Sequence, residues 1–335
     1  MRSSTSAFEV VTPARAIVLL LMAVALYFLV LEAFAREVLP RISENQRRIA
    51  NDYRAAVHLR PTAADGARSI LVVGNSLLLH GIDRNQLRAL MGPSYQVVLY
   101  PIEGTTYLDW AYGLRRLFAE GARPAGLVLC ISTRHLLSDS TDGEGFAHAL
   151  MQFRDLGPVV RDSHLDMMTA SAYFFANMSA WLGTRATFRD GLLQKWLPGA
   201  DLLAVHLSLR DPVPLVANEK SVSSGVQRLV SLRALADEYH ARFIYLVPAT
   251  LYKLDIAPAV ASAALASHVS VLVPFAPGEM PQAAFSDGFH LNPDGALSYT
   301  QRAAATLLET LAATPSDGPP GTNTSSLPAG SERQQ

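Results

Sequence analysis

A chain of 335 residues, half of them hydrophobic and 17% charged, can bury a sizeable core in one large domain or two small ones. Its net charge of −1 excludes the strong basic excess of a nucleic-acid footprint, so no nucleic-acid partner is expected. The single cysteine, Cys130, excludes an intrachain disulfide and a cysteine-rich metal site, and within Leu127-Val128-Leu129-Cys130-Ile131 it reads as a small buried hydrophobe.

The first predicted element is an apolar helix. Ala16 to Leu31 carries no charge and reaches roughly 24 Å at about 1.5 Å per residue, a little short of a bilayer core. Glu32 to Ala35 lengthen it, and Arg15 and Arg36 bracket it. Residues 1–36 are therefore expected to form an N-terminal transmembrane anchor. The alternative is a cleavable signal segment, because Ala33-Phe34-Ala35 fits a small-x-small cleavage pattern. Arg2 and Arg15 precede the segment, while Arg36, Arg41, Arg47 and Arg48 follow it, so the charge count does not by itself favour a periplasmic main domain. Residues 37–67, charged and helical in character and then loop-like around Pro61, read as a stalk.

From Ser69 onward short apolar runs alternate with amphipathic stretches. Strands are predicted at 69–74, 96–100, 126–131, 243–248 and 269–273. Each is a continuous Val/Ile/Leu-rich run, as expected for parallel strands covered on both faces. Helices are predicted at 84–91, 107–120, 222–241, 256–267 and 294–313. This alternation implies a doubly wound α/β fold with a mainly parallel five-stranded sheet. Roughly a hundred residues separate the third and fourth strands, far beyond a normal connection. Residues 143–212, rich in aromatics and Met, read as a helical insertion that either caps the site or packs on the sheet edge. The main domain thus spans 68–313, and the Pro/Ser/Gly/Thr-rich tail 314–335 is expected to be disordered.

Two short motifs carry chemistry. Val73-Gly74-Asn75-Ser76 places a serine in a tight turn at the end of the first strand, where open α/β sheets keep their sites. Asp287-Gly288-Phe289-His290 sets an acid three residues before a histidine. On a helical turn that spacing lets the carboxylate reach the imidazole. A serine hydroxyl is a weak nucleophile until a base takes its proton, and the base needs a group to hold its other nitrogen. Ser76, His290 and Asp287 supply nucleophile, base and orienting acid. His80 and His135 lie nearby in sequence, and Thr105, Tyr107 and Trp110 read as packing residues. No metal or organic cofactor is implied, since no clustered ligands occur.

These residues carry a resemblance. Val73-Gly74-Asn75-Ser76 is similar to the first block of the SGNH (GDSL-type) hydrolase superfamily, with Asn75 where Asp is more usual. Phe285 to Asn292, followed by Gly295, resembles its last block, and Gly104 within Ile102-Glu103-Gly104-Thr105 matches the second. The resemblance covers roughly residues 69–312 and implies ester hydrolysis or O-acyl transfer, with the Ser76 and Gly104 amides stabilising the oxyanion. The family's third block, a Gly-x-Asn whose asparagine donates to the oxyanion, is replaced by Ile131-Ser132-Thr133-Arg134-His135. Loss of one such donor typically costs about 10²–10³ in rate. Thr133 or Arg134 is the expected substitute, with Arg134 alternatively binding an anionic group. The resemblance further implies a single-pass protein of the bacterial inner membrane, with a periplasmic main domain acting on O-acetyl groups of envelope polysaccharide. The altered third block leaves a rival: a catalytically degenerate binding or assembly component of such a system.

Overall fold

Five strands pair side by side in the order β2-β1-β3-β4-β5, all parallel. They are β1 (Arg68–Gly74), β2 (Tyr95–Pro101), β3 (Gly126–Cys130), β4 (Arg242–Leu246) and β5 (Ser270–Leu272). The computed structural model describes residues 12–196, 218–251, 253 and 255–313. Side chains alternate across a strand, and the continuous apolar runs therefore feed two cores. Leu71, Val73, Tyr100, Leu127, Leu129, Phe243 and Tyr245 enter one. Ile70, Val72, Leu99, Val128, Cys130, Ile244 and Leu246 enter the other.

Helices cover both faces. In chain order they are α1 (Pro13–Ala33), α2 (Glu44–Val57), α3 (Ser76–Gly81), α4 (Arg84–Met91), α5 (Tyr107–Ala119), α6 (Thr133–Leu136), α7 (Gly143–Ala149) and α8 (Leu156–Asp162). There follow α9 (Met167–Met178), α10 (Ala180–Trp196), α11 (Glu219–Glu238), α12 (Ala257–Leu265) and α13 (Pro293–Ala312). Helices α2, α5, α7, α11 and α12 bury residues in the first core, and α3, α4 and α13 bury theirs in the second. Helix α11 begins earlier than the predicted 222 because the Asn218 side chain accepts from the Ser221 amide and caps it. It ends before the predicted 241, near His240, whose φ is 59°.

The segment expected as a stalk behaves differently. Within 37–67, α2 lies along β2 and buries Ala56, with Ile49, Tyr53 and Val57 packed beside it. Its charges do not all face water. Asp52 takes a two-pronged ion pair from Arg84 at 2.8 and 2.5 Å, and Arg48 reaches Glu103 at 2.7 Å. Charge alone hid this face from sequence reading, because paired, half-buried ions count as polar in any hydropathy pattern.

Ahead of α2, α1 is exposed along its length and is long and apolar enough to cross a membrane. A π-helical turn, Phe34–Val38, follows it directly. The insertion after β3 is helical as expected, running through α7 to α10, while residues 197–212 lie outside the described residues, as does the tail 314–335.

Candidate active site

β1 delivers the serine. Gly74 is flanked by Pro101 of β2 and Cys130 of β3, and a Cβ on it would stand 2.1 Å from the Cys130 carbonyl oxygen. The chain then turns through Asn75. This buried side chain caps α3, its Oδ1 accepting from the Leu77 amide at 3.0 Å. Its Nδ2 donates to the Thr105 carbonyl at 3.1 Å, tying the serine turn to the turn after β2. Ser76 is thus the first residue of α3, where an amide has no intrahelical acceptor.

The turn after β2 is fixed from three sides. The Ile102 amide donates to the Gly74 carbonyl at 2.9 Å. Thr105 Oγ1 donates to the Ile102 carbonyl at 2.7 Å and accepts from Trp110 Nε1 at 3.0 Å. Between them Gly104 holds φ +78°, a left-handed conformation that glycine adopts freely. Asp142 lies against it, so a Cβ there would meet Asp142 Oδ1 at 2.6 Å. Among the described residues, neither the Ser76 nor the Gly104 amide donates to a protein acceptor.

The histidine and its acid come from the loop before α13. An isolated bridge between Phe285 and Leu291 closes this loop, and Gly288 at φ +81° turns it. The expected helical turn is absent. A tight turn organised by the carboxylate itself takes its place. Asp287 Oδ1 accepts from the Phe289 and His290 amides at 2.9 and 2.6 Å, and Oδ2 lies 2.7 Å from His290 Nδ1. With Nδ1 donating to that carboxylate, Nε2 is left as the acceptor, and it lies 3.0 Å from Ser76 Oγ. Desolvation pushes the Asp287 pKa up, but the His290 amide, the His290 ring and the Phe289 amide outweigh it and hold the carboxyl below its ordinary range. The last helix is capped by Asn292, which accepts from the Gly295 amide at 2.9 Å.

Two further histidines surround the pair. The His80 ring stands edge-on to His290 with centroids 5.0 Å apart. Desolvation and the neighbouring His290 both lower its pKa. His135 lies 6.3 Å from the Phe289 ring, and burial, then Arg134 and His290, pull its pKa down to about 4. His135 is therefore neutral at pH 7, and its Nδ1 lies 2.7 Å from Ser132 Oγ.

The stretch in place of the third block corrects one expectation. Thr133 is buried, and its hydroxyl donates to Asp255 Oδ1 at 2.5 Å, so the donor expected to face the oxyanion is already engaged by the segment between β4 and α12. Thr133→Val is expected to cost about 1–3 kcal/mol, because Asp255 loses a partner, while ester turnover stays unchanged. Thermal unfolding in detergent alongside an acetyl-ester assay checks this. Arg134 is exposed on α6 beside His135.

Sequence reasoning missed the support behind the second turn. Arg48 of α2 donates to the Pro101 carbonyl at 2.7 Å and pairs with Glu103 at 2.7 Å, immediately before Gly104. No local signal marks a residue so distant in sequence. Asn75 did carry one, since Asn before a short helix is a preferred cap. Beside the Gly104 turn opens a cleft of about 460 Å³, lined by Asn45, Glu103, Asp142, His148 and Thr187 among others. Among the described residues no group of His, Cys, Asp and Glu is placed to hold a metal ion.

No family model matches this chain, and no curated protein matches it. Among solved structures, the chain is similar to the crystal structure of TesA at 17% identity and TM-score 0.34, over 73% of this chain and 98% of that one. It is also similar to a catalytic mutant of Axe2, an acetylxylan esterase from Geobacillus stearothermophilus, at 11% identity and TM-score 0.38, over 73% and 94%. The strand order agrees with the expected doubly wound sheet, and the folded chain brings Ser76, His290 and Asp287 together. The fold is a doubly wound α/β fold built on a five-stranded parallel sheet. The turns that carry Ser76, Gly104 and the Asp287/His290 pair meet at the carboxyl ends of β1 and β2.

Proposed function

We propose that this protein is a membrane-tethered serine esterase or O-acyltransferase, with an O-acetyl group on an envelope carbohydrate as its substrate. The observation that carries the reading is the continuous line from Ser76 Oγ to His290 Nε2 at 3.0 Å and from His290 Nδ1 to Asp287 at 2.7 Å. A hydroxyl, an imidazole acceptor and a low-pKa carboxylate in that order form the arrangement that activates an oxygen nucleophile.

In the first half-reaction Ser76 Oγ adds to the ester carbonyl while its proton passes to His290 Nε2. Asp287 holds the ring in place and stabilises the imidazolium. The oxyanion forms opposite the two amides of Ser76 and Gly104, which donate to no protein acceptor among the described residues. The tetrahedral centre then collapses, the ester C–O bond breaks, and the departing alcohol takes the proton from His290. In the second half, water or another hydroxyl gives its proton to His290 and attacks the acyl-serine; the new tetrahedral centre collapses, the bond from the acyl carbon to Ser76 Oγ breaks and His290 returns the proton to Oγ, which makes the protein a hydrolase or a transferase respectively. The cleft beside Gly104, about 460 Å³, is of a size that suits a sugar ring or two. The acetyl group and the envelope carbohydrate rest on the family resemblance and on the apolar α1.

Labelling the full-length protein in detergent with a serine-reactive fluorophosphonate tests the reading. Labelling is expected for the native chain and absent in Ser76→Ala and His290→Ala. No labelling of the native chain, together with no turnover of small acetyl esters or acetylated oligosaccharides, would overturn it and leave a binding component.

A further inference from the structure

The insertion carries an apolar stripe that the site does not use. On α9, Met167, Met168, Phe175 and Met178 are all exposed. They recur at the spacing of one helix face, completed by Ser171 between them. Phe153 and Phe174 extend this face, their rings 5.6 Å apart. The opposite face of α9 is committed to the domain, since Tyr173 and Ala176 are buried in its core and the Tyr173 hydroxyl bonds Thr141 at 2.6 Å. A contiguous patch of this kind marks an interaction surface.

Its position identifies the occupant. The stripe ends at Met178, and the next residues close on the exit of α1. Ser179 Oγ donates to Glu32 at 2.7 Å, and the Ala180 and Trp181 amides donate to the same carboxylate at 3.0 and 3.2 Å. Phe34 sets its ring edge-on against Trp181 and Phe188. One end of α9 is thereby fixed where the chain leaves the apolar helix. At about 18 Å, α9 is too short to span a bilayer, but a short helix with one apolar face suits the boundary between headgroups and acyl chains. We propose that α9 lies on the lipid surface, with the Met167–Met178 stripe in the acyl boundary, as a second and peripheral membrane contact. This inference rests on α1 spanning the bilayer.

Site-directed nitroxide labelling of the full-length chain, reconstituted in phosphatidylethanolamine/phosphatidylglycerol bilayers, tests it. Met168→Cys, Ser171→Cys and Phe175→Cys each carry the label; Cys130 is fully buried and out of reach. Arg88→Cys on α4 reports the aqueous side, and Leu20→Cys reports α1 itself. The expected result is an inversion of relative accessibility. The α9 labels, like Leu20→Cys, meet oxygen more often than a water-soluble nickel chelate, and Arg88→Cys shows the reverse. If the α9 labels behave like Arg88→Cys while Leu20→Cys stays in lipid, the surface contact is wrong and the anchor stands. If they are shielded from both reagents, a protein covers the stripe and the lipid assignment fails. If Leu20→Cys is also in water, the anchor reading fails and takes the inference with it.

Discussion

Ser76→Ala and His290→Ala are each expected to lower kcat for a small acetyl ester by about 10⁴–10⁶-fold, and the double variant is expected to lose no more than either alone. The reason is the single hydrogen-bonded line through Ser76, His290 and Asp287. Removing either end leaves the other with no proton to take or give. Asp287→Asn should cost about 10⁴-fold. Its amide can still meet His290 Nδ1, but only by reversing which ring nitrogen carries the proton, and that takes the acceptor away from Ser76. The two amides proposed to face the oxyanion survive all of these changes, so a residual rate above the uncatalysed reaction is expected in each. Steady-state kinetics on the full-length protein in detergent checks the set. Additive losses in the double variant would mean that the two side chains do not act as one unit.

The largest structural effect is expected from Gly74→Ala. A Cβ at this position would stand 2.1 Å from the Cys130 carbonyl oxygen and 3.0 Å from Leu78 Cβ. The first neighbour is backbone of the adjacent strand and cannot rotate away. Strands β1 and β3 must part at the very residue that precedes the Asn75-Ser76 turn. Overpacking of a rigid core costs about 1–3 kcal/mol, occasionally more, and this contact belongs at the upper end. A drop in Tm of roughly 6–12 °C follows for a domain of this size, and ester turnover should fall with it because the serine turn moves. Gly81→Ala serves as the control, because a Cβ there meets nothing within 4 Å. Thermal melts of the two variants separate a steric cause from a general loss of glycine.

How much of this was legible in the chain depends on the range of each interaction. The strands were readable because a parallel strand buried on both faces must be apolar throughout, and the predicted runs fall within a residue or two of the observed ones. Sequence order also limited the sheet to a few topologies. The packing of α2 within 37–67 was not legible because it rests on ion pairs to Glu103 and to Arg84 of α4 and on a narrow apolar edge, Ile49, Tyr53 and Val57. At the site, Ser76 and the Asp287/His290 turn each announce themselves within four residues. Their meeting depends on the sheet and could only be expected. Thr133 looked available because its type suits a donor, yet Asp255, far along the chain, had already taken its hydroxyl. Arg48 gave no local sign at all, since only the folded chain brings it beside Glu103.

That arginine gives the N-terminal region a meaning beyond attachment. Helix α2 follows the apolar α1 after a π-helical turn, Phe34–Val38, and a short helix, Leu39–Ile42, and through Arg48 it grips the Pro101 carbonyl and Glu103 beside Gly104. Leash and scaffold are therefore one segment. A cut near Ala35 would free the domain with its support intact. A cut past Arg48, such as a soluble fragment starting at Asn51, would release a domain whose second turn had lost its brace. Release from α1 and loss of competence are thus separated by the short stretch of chain from Ala35 to Arg48, about one helix length.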